Sequence, residues 1–256
     1  MNKEPQEYPR STAWVDHIPV LWLEPERNRP KRQLVIVVTG LGGNKESTIP
    51  RLKDIAAAGY VALSLDSWQH GERAIEPQEQ LGKRVFSNFR KYFWPILGQT
   101  ALDITRVTDW SIDTLKIELP IYMVGMSMGG DIAVTSAGLD HRIERVATVV
   151  TSPDWLRPGM RGSPGEPDAY AQYFYDHMNP LTHLEAYAHG PDINIIVGEQ
   201  DTDVPPGGAL RFQKSLKEKY PAPGEKVRVK VIPGKNHFDF VAPDLWWAES
   251  LAWLMG

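Results

Sequence analysis

The sequence predicts an α/β fold: a mainly parallel central sheet flanked by helices, carrying small aromatic-rich cap insertions. Three observations lead there. Continuous β-branched runs, Gln33–Val38 foremost, read as strands buried on both faces. Segments of helical length alternate with those strands and stop at glycine or proline. The turns after the strands hold the glycines, carboxylates and histidine that do chemistry, and ligands in such sheets bind outside the strands' carboxyl ends.

Taken in order, Val15–Leu23 alternates loosely as an outer strand after a polar stretch, 1–12, expected to fray, and Glu26–Arg32 is a charged loop. Gln33–Val38 is a strand ending in the loop Thr39–Gly43, and Lys45–Ala58 is a helix stopped by Gly59. Tyr60–Asp66 is the next strand. Residues 67–97 read as irregular, punctuated by Gly71, Pro77, Gly82 and Pro95, with a helix over Gly98–Lys116. The strand Pro120–Gly125 runs straight into a helix over Gly129–Leu139, and Val146–Thr151 is a strand. Residues 152–180 form a long aromatic loop, of the kind that is functional or holds small helices. Ile193–Val197, Pro206–Lys219 and Lys226–Ile232 read as strand, helix and strand. A closing helix, Pro243–Met255, has its apolar stripe at Leu245, Ala248, Leu251, Ala252 and Leu254.

Composition narrows the function. The 256 residues fit one domain spanning 1–256, and 42% hydrophobic with 23% charged is ordinary for a globular chain. A net charge of −4 offers no basic field for nucleic acid. With no cysteine, disulfides, thiolate metal sites and a cysteine nucleophile are excluded. No basic segment followed by an apolar run marks a signal peptide, and no apolar run approaches a membrane span. The expectation is a cytoplasmic protein with neither nucleic-acid nor membrane partners.

The stretch Gly125-Met-Ser-Met-Gly129 between strand and helix has the pattern of a nucleophile elbow. A sharp turn lifts the Ser127 hydroxyl clear of the sheet, and side chains at 125 and 129 would collide with neighbouring strands. A serine hydroxyl needs a base to take its proton and a carboxylate to orient that base. On such a fold the acid and base follow the serine in chain order. Of seven histidines, His237 follows the Lys226–Ile232 strand and is assigned as base. His141, His177, His183 and His189 fall at helix ends or in the aromatic insertion. His17 lies in the first strand, and His70 is placed at the pocket rim. Asp201, three residues past Gly198, is preferred as acid over Asp203 and Glu199; Asp203 suits a helix N-cap. Oxyanion donors are assigned to the backbone N–H groups of Met128 and of Leu41 in the glycine-rich loop. Trp68 and Trp155, just after strand ends, join His70 and Met126 as pocket candidates. Arg73 is read as pairing with Glu72 or Asp66. No metal-ligand spacing is present, so neither metal nor cofactor is expected.

With "VIVVTGLGGNKES", "YVALSLDSWQHGER", "IYMVGMSMGG", "IIVGEQDTDVP" and "GKNHF" in that order, the chain resembles an α/β-hydrolase over residues 13–256. Within that fold it is similar to small esterases related to dienelactone hydrolase and to the catalytic domain of prolyl oligopeptidases. The resemblance implies Ser127 as nucleophile, Asp201 as acid, His237 as base, and the Leu41 and Met128 amides as oxyanion hole. Two features depart from it. Thr39-Gly40 stands where His-Gly is usual, so a threonine hydroxyl takes over the propping of the loop. Dienelactone hydrolases proper use a cysteine nucleophile, which this chain lacks. The expected function is cleavage of a small-molecule carboxylic ester through an acyl-enzyme. Thioesterase, peptidase or acyltransferase chemistry on the same residues, or a non-catalytic binding protein, are the alternatives. The short segment before Val15 leaves no room for the propeller of the related peptidases.

Overall fold

The computed structural model describes residues 8–25 and 31–256. Most of the polar stretch 1–12 and of the loop Glu26–Arg32 lies outside them. One eight-stranded sheet runs β1-β2-β4-β3-β5-β6-β7-β8. Its strands are β1 (Arg10–Val15), β2 (Ile18–Leu23), β3 (Leu34–Val38), β4 (Val61–Leu65), β5 (Ile121–Met126), β6 (Ile143–Val149), β7 (Asp192–Gly198) and β8 (Val227–Ile232). β1 and β2 pair antiparallel, as do β2 and β4; every other pairing is parallel. This is the α/β-hydrolase architecture.

The period of two along a strand builds both faces at once. In β3, Leu34, Ile36 and Val38 join one core with Ile104, Ile132 and Phe212, while Val35 and Val37 join another with Leu52, Ile55 and Trp247. Helices α3 (Phe89–Leu115), α4 (Met128–Leu139) and α6 (Gly207–Lys219) therefore cover one face. Helices α1 (Ile49–Ala57) and α8 (Trp247–Met255) cover the other, tied together by Trp247 Nε1 donating to Asp54 at 2.6 Å. α7 (Pro221–Glu225) is a short turn before β8. The edge strands β1 and β8 alternate in burial, as a half-covered strand must.

Several expectations are corrected. Val15–Leu23 is not one strand: Asp16, with φ +55, and His17 turn the chain, and Arg10–Thr12 pair with β2 instead of fraying. The helix expected over Lys45–Ala58 opens as a 3-10 turn, Lys45–Thr48, before α1. Residues 67–97 are largely helical, in α2 (Gln78–Ser87) and the first turns of α3. Pro95 lies inside α3, where burial of Phe93, Trp94, Ile96 and Leu97 outweighs the one backbone bond a proline cannot donate. In α8 the buried residues are Trp247, Ser250 and Leu254, with Ala248 and Ala252 exposed. A separate 3-10 turn at Pro243–Leu245 resets the helix phase.

Between β6 and β7, α5 (Ala169–Met178) docks on α3. Trp94 stacks on Tyr175 at 4.5 Å and donates Nε1 to the Trp155 carbonyl at 3.0 Å. A Cβ on Gly98 would stand 2.1 Å from Phe174 Cδ1, so the absence of a side chain there sets the α3–α5 spacing. Gly98→Ala should lower stability by about 1–3 kcal/mol through overpacking, read as a lower urea midpoint. An unchanged midpoint would mean that Phe174 is not docked against this glycine.

Candidate functional site

Ser127 stands between β5 and α4 with φ +53 and ψ −120, a conformation costing about 1–3 kcal/mol for a residue with a Cβ. The turn is held at each end. The Ser127 N–H donates to the Val149 carbonyl at 2.9 Å, and its carbonyl accepts from Gly130 at 2.9 Å and Asp131 at 3.0 Å. The flanking glycines are steric requirements. A Cβ on Gly129 would meet the Val38 carbonyl of β3 at 2.2 Å, the expected neighbour-strand clash. A Cβ on Gly125 would instead meet Gly129 of the elbow's own helix at 2.1 Å. Gly130 is equally constrained, since a Cβ there would stand 1.8 Å from Thr151 Oγ1, which the pentapeptide pattern does not reveal.

Past β8, Asn236 caps the 3-10 turn His237–Phe240: its side chain accepts from Phe238 N–H, and Asp239 accepts from Asn236 N–H. This reciprocal cap aims His237 Nδ1 at Asp201, 2.8 Å away. Asp201 is buried, and its other oxygen accepts from the N–H groups of Asp203 at 2.9 Å and Val204 at 2.7 Å. With Nδ1–H donated to the carboxylate, Nε2 is left as a proton acceptor. The rival carboxylates are engaged elsewhere. Asp203 pairs with Arg161 at 2.6 Å and does not cap α6, and Glu199 accepts from Gly234 N–H at 2.9 Å. Asp201, Asp203 and His237 form the one group among the described residues whose atoms, within 4.8 Å of each other, could hold a metal.

The loop 39–43 closes on a Gly43 N–H to Gly40 carbonyl bond of 3.0 Å, with Gly42 at φ +81. Leu41 and Ser127 line the same cavity, and Met128 opens α4, where helix N–H groups have no intrahelical partner. Thr39 props the loop by packing, not by a hydrogen bond. A Cβ on Gly43 would touch its Cβ at 2.7 Å, while its buried hydroxyl has no partner. The loop's far end is anchored by buried Lys45. Burial opposes its charge, but bonds to Asp66, at 2.8 Å, and to Glu72 hold the ammonium above its usual range.

The cavity at Ser127 has a volume of about 290 Å³ and is walled by Leu41, Met126, Val204, Phe238 and Val241 and by the aromatic stripe Phe86, Phe89 and Phe93. Arg157, with φ +46, completes it. Its guanidinium lies 5.1 and 5.0 Å from the rings of Phe89 and Phe93 and pairs with Asp131 in the first turn of α4. Burial pushes the Asp131 carboxyl up; Arg157 and the Ser152 N–H pull it back. Neither Asp131 nor Arg157 stands out in the sequence, although a carboxylate four residues after the serine in an apolar helix is a usable signal.

Of the four pocket candidates, only Met126 lines this cavity. Trp68 packs against the core beneath Arg73, whose guanidinium lies 4.8 Å from its ring. His70 is buried with Nδ1 2.9 Å from the Trp68 carbonyl. Trp155 is 1% exposed; its backbone N–H donates to Asn179 Oδ1, and its indole N–H is buried without a partner. Two of these segments are tied to α3 through the backbone: Trp68 N–H donates to Thr100 at 3.0 Å, and the Trp155 carbonyl accepts from Trp94. Arg73 is structural, as expected: it donates to the Asp66 backbone carbonyl at 3.2 Å, and its ion-pair partner is the Asp103 carboxylate at 2.7 Å. His17 sits in the β1–β2 turn, 3.5 Å from Asp103.

The dienelactone hydrolase family pattern matches residues 18–244, and the chain belongs to that family of hydrolases. Solved structures share the fold. TT1662 from Thermus thermophilus superposes with a TM-score of 0.77 at 22% identity, covering 97% of each chain. A highly thermostable carboxyl esterase from Bacillus coagulans, in complex with glycerol, gives 0.63 at 18% identity over 98% of this chain and 97% of its own. Est1E from Butyrivibrio proteoclasticus, with ferulic acid bound, gives 0.63 at 18% over 96% and 97%. No curated protein matches the chain. Among the described residues, no helix is long and apolar enough to cross a membrane.

Burial holds His70 neutral and below its ordinary value of 6.5. The unfolded chain takes up that proton first, so the stability His70 contributes is complete above about pH 6.5 and is lost as pH falls through its depressed folded value. Urea midpoints at pH 7.5 and 5.5 should therefore differ more in the wild type than in His70→Gln. An identical pH dependence in the two proteins would rule this out.

Proposed function

We propose that this member of the dienelactone hydrolase family is a serine carboxylic-ester hydrolase, with Ser127 as nucleophile, His237 as general base and Asp201 as the carboxylate that orients it. The observation that carries the reading is the 2.8 Å His237–Asp201 hydrogen bond at a cavity whose wall includes a serine on a positive-φ elbow. His237 Nε2 takes the Ser127 proton as Oγ attacks the acyl carbonyl. The oxyanion that forms accepts from the N–H groups of Leu41 and Met128, which a helix N-terminus at the same point reinforces. The imidazolium then protonates the departing alkoxide. Water, deprotonated by His237, cleaves the acyl-enzyme and returns Ser127. The chemistry draws on side chains and backbone alone.

The site sits in a single domain whose segments 67–97 and 152–180 act as a small cap. Phe86, Phe89 and Phe93 give the cap an aromatic inner wall, suited to an aryl or other apolar arm of a small ester. That one neighbour of the same fold binds ferulic acid, an aryl-bearing acid, agrees with such a wall. The reading places the enzyme in the cytoplasm.

Hydrolysis of p-nitrophenyl esters of increasing acyl length tests the reading. Wild-type turnover should fall by about four orders of magnitude or more in Ser127→Ala, with the fold intact by circular dichroism. A folded Ser127→Ala protein that keeps the wild-type rate would contradict it.

A further inference from the structure

A second cavity, of about 390 Å³, lies against the first and shares Gly40, Leu41, Met126 and Val241 with it. The loop 39–43 is thus a wall common to both. Arg51, from the first turn of α1, is the only charged residue among the described residues that lines this second space. Its guanidinium is held 5.7 Å from the ring of buried Trp246, and no carboxylate pairs with it among the described residues. The arginines of the Ser127 cavity differ, since Arg157 is neutralised by Asp131 and Arg161 by Asp203. A second polar group waits in the same place. Thr39 lines the cavity and is 8% exposed, and its hydroxyl oxygen is buried with no hydrogen-bond partner.

A stacked but unpaired guanidinium presents N–H donors in the fork that fits a carboxylate. A buried hydroxyl without a partner carries a desolvation cost that an incoming oxygen removes. From these two observations we infer that the Arg51 cavity is a subsite for a carboxylate carried on one arm of the ester substrate, with Thr39 donating to an oxygen of the same arm. The inference rests on the serine-hydrolase reading. The apolar arm then occupies the aromatic cavity and the charged arm the Arg51 cavity, with the scissile carbonyl between them beside the loop both cavities share. The favoured substrates are half-esters of dicarboxylic acids, charged on the acyl arm, or esters of hydroxy acids, charged on the alcohol arm.

Two matched pairs distinguish the arms. Hydrogen p-nitrophenyl suberate and its methyl diester place a charge, or a neutral isostere, on the acyl side. The phenylacetyl ester of ω-hydroxyhexanoate and its methyl ester do so on the alcohol side. In at least one pair, wild-type kcat/KM for the charged member should exceed that of the neutral one by about tenfold or more, through KM, and the ratio should shrink with added salt. In Arg51→Gln the ratio should fall to near one, with partial recovery in Arg51→Lys. A wild-type ratio near one in both pairs, with neutral esters turned over, overturns the subsite and leaves the serine mechanism standing. No turnover of any ester, with Ser127 inert to a fluorophosphonate, overturns both.

Discussion

Ser127 is held in a backbone conformation that a side-chain-bearing residue avoids, and the surrounding packing is organised to keep it there. β5 can run into α4 without a loop only because Gly125, Gly129 and Gly130 leave room for backbone atoms of the elbow and of β3 and for Thr151. The bond from Ser127 N–H to Val149 ties the turn to β6, the next strand in the sheet. The strain is local and small beside the burial of β3 and β5 on both faces, and for that reason the fold sustains it. Its consequence is chemical: the hydroxyl lies at the strands' carboxyl ends, where the loops after β3, β7 and β8 converge.

Around that turn the charges are arranged in buried pairs rather than spread over the surface. Lys45 and Asp66 pin the far end of the loop 39–43. Arg157 and Asp131 join the loop after β6 to the helix behind Ser127. Buried pairs of this kind contribute little net stability, because desolvation offsets most of the attraction, but breaking one leaves an unpaired charge in the interior. Their effect is on geometry: each joins a segment beside the Ser127 cavity to a segment distant in the chain. Arg157 does this while its guanidinium lies against Phe89 and Phe93, so the aromatic wall and the helix that follows Ser127 share one anchor.

The sheet was readable because strands buried on both faces write themselves as unbroken β-branched runs. That Asp201 and His237 come within hydrogen-bond distance was readable because each follows such a run within a few residues. Helices α2 and the start of α3 were not, because Gly82 and Pro95 look like stops. Neither stops its helix: a Cβ at Gly82 would meet open space, and the buried flank of α3 carries the chain through Pro95. Trp68, His70 and Trp155 were misplaced for another reason. Position after a strand fixes where a residue starts, not which way its side chain turns, and tertiary packing on α3 decides that. Pairings such as Asp131 with Arg157, or Arg51 with Trp246, join residues far apart in the chain and have no local signature.

The most direct test of the account is where a fluorophosphonate attaches. Treated with the reagent and mapped by peptide mass spectrometry, the wild type should carry one adduct per chain, on Ser127. Labelling should be much slower in His237→Ala, because the hydroxyl then has no base to take its proton. A folded wild-type protein that takes up no label, or takes it up at another residue, would contradict the assignment of Ser127 as the nucleophile.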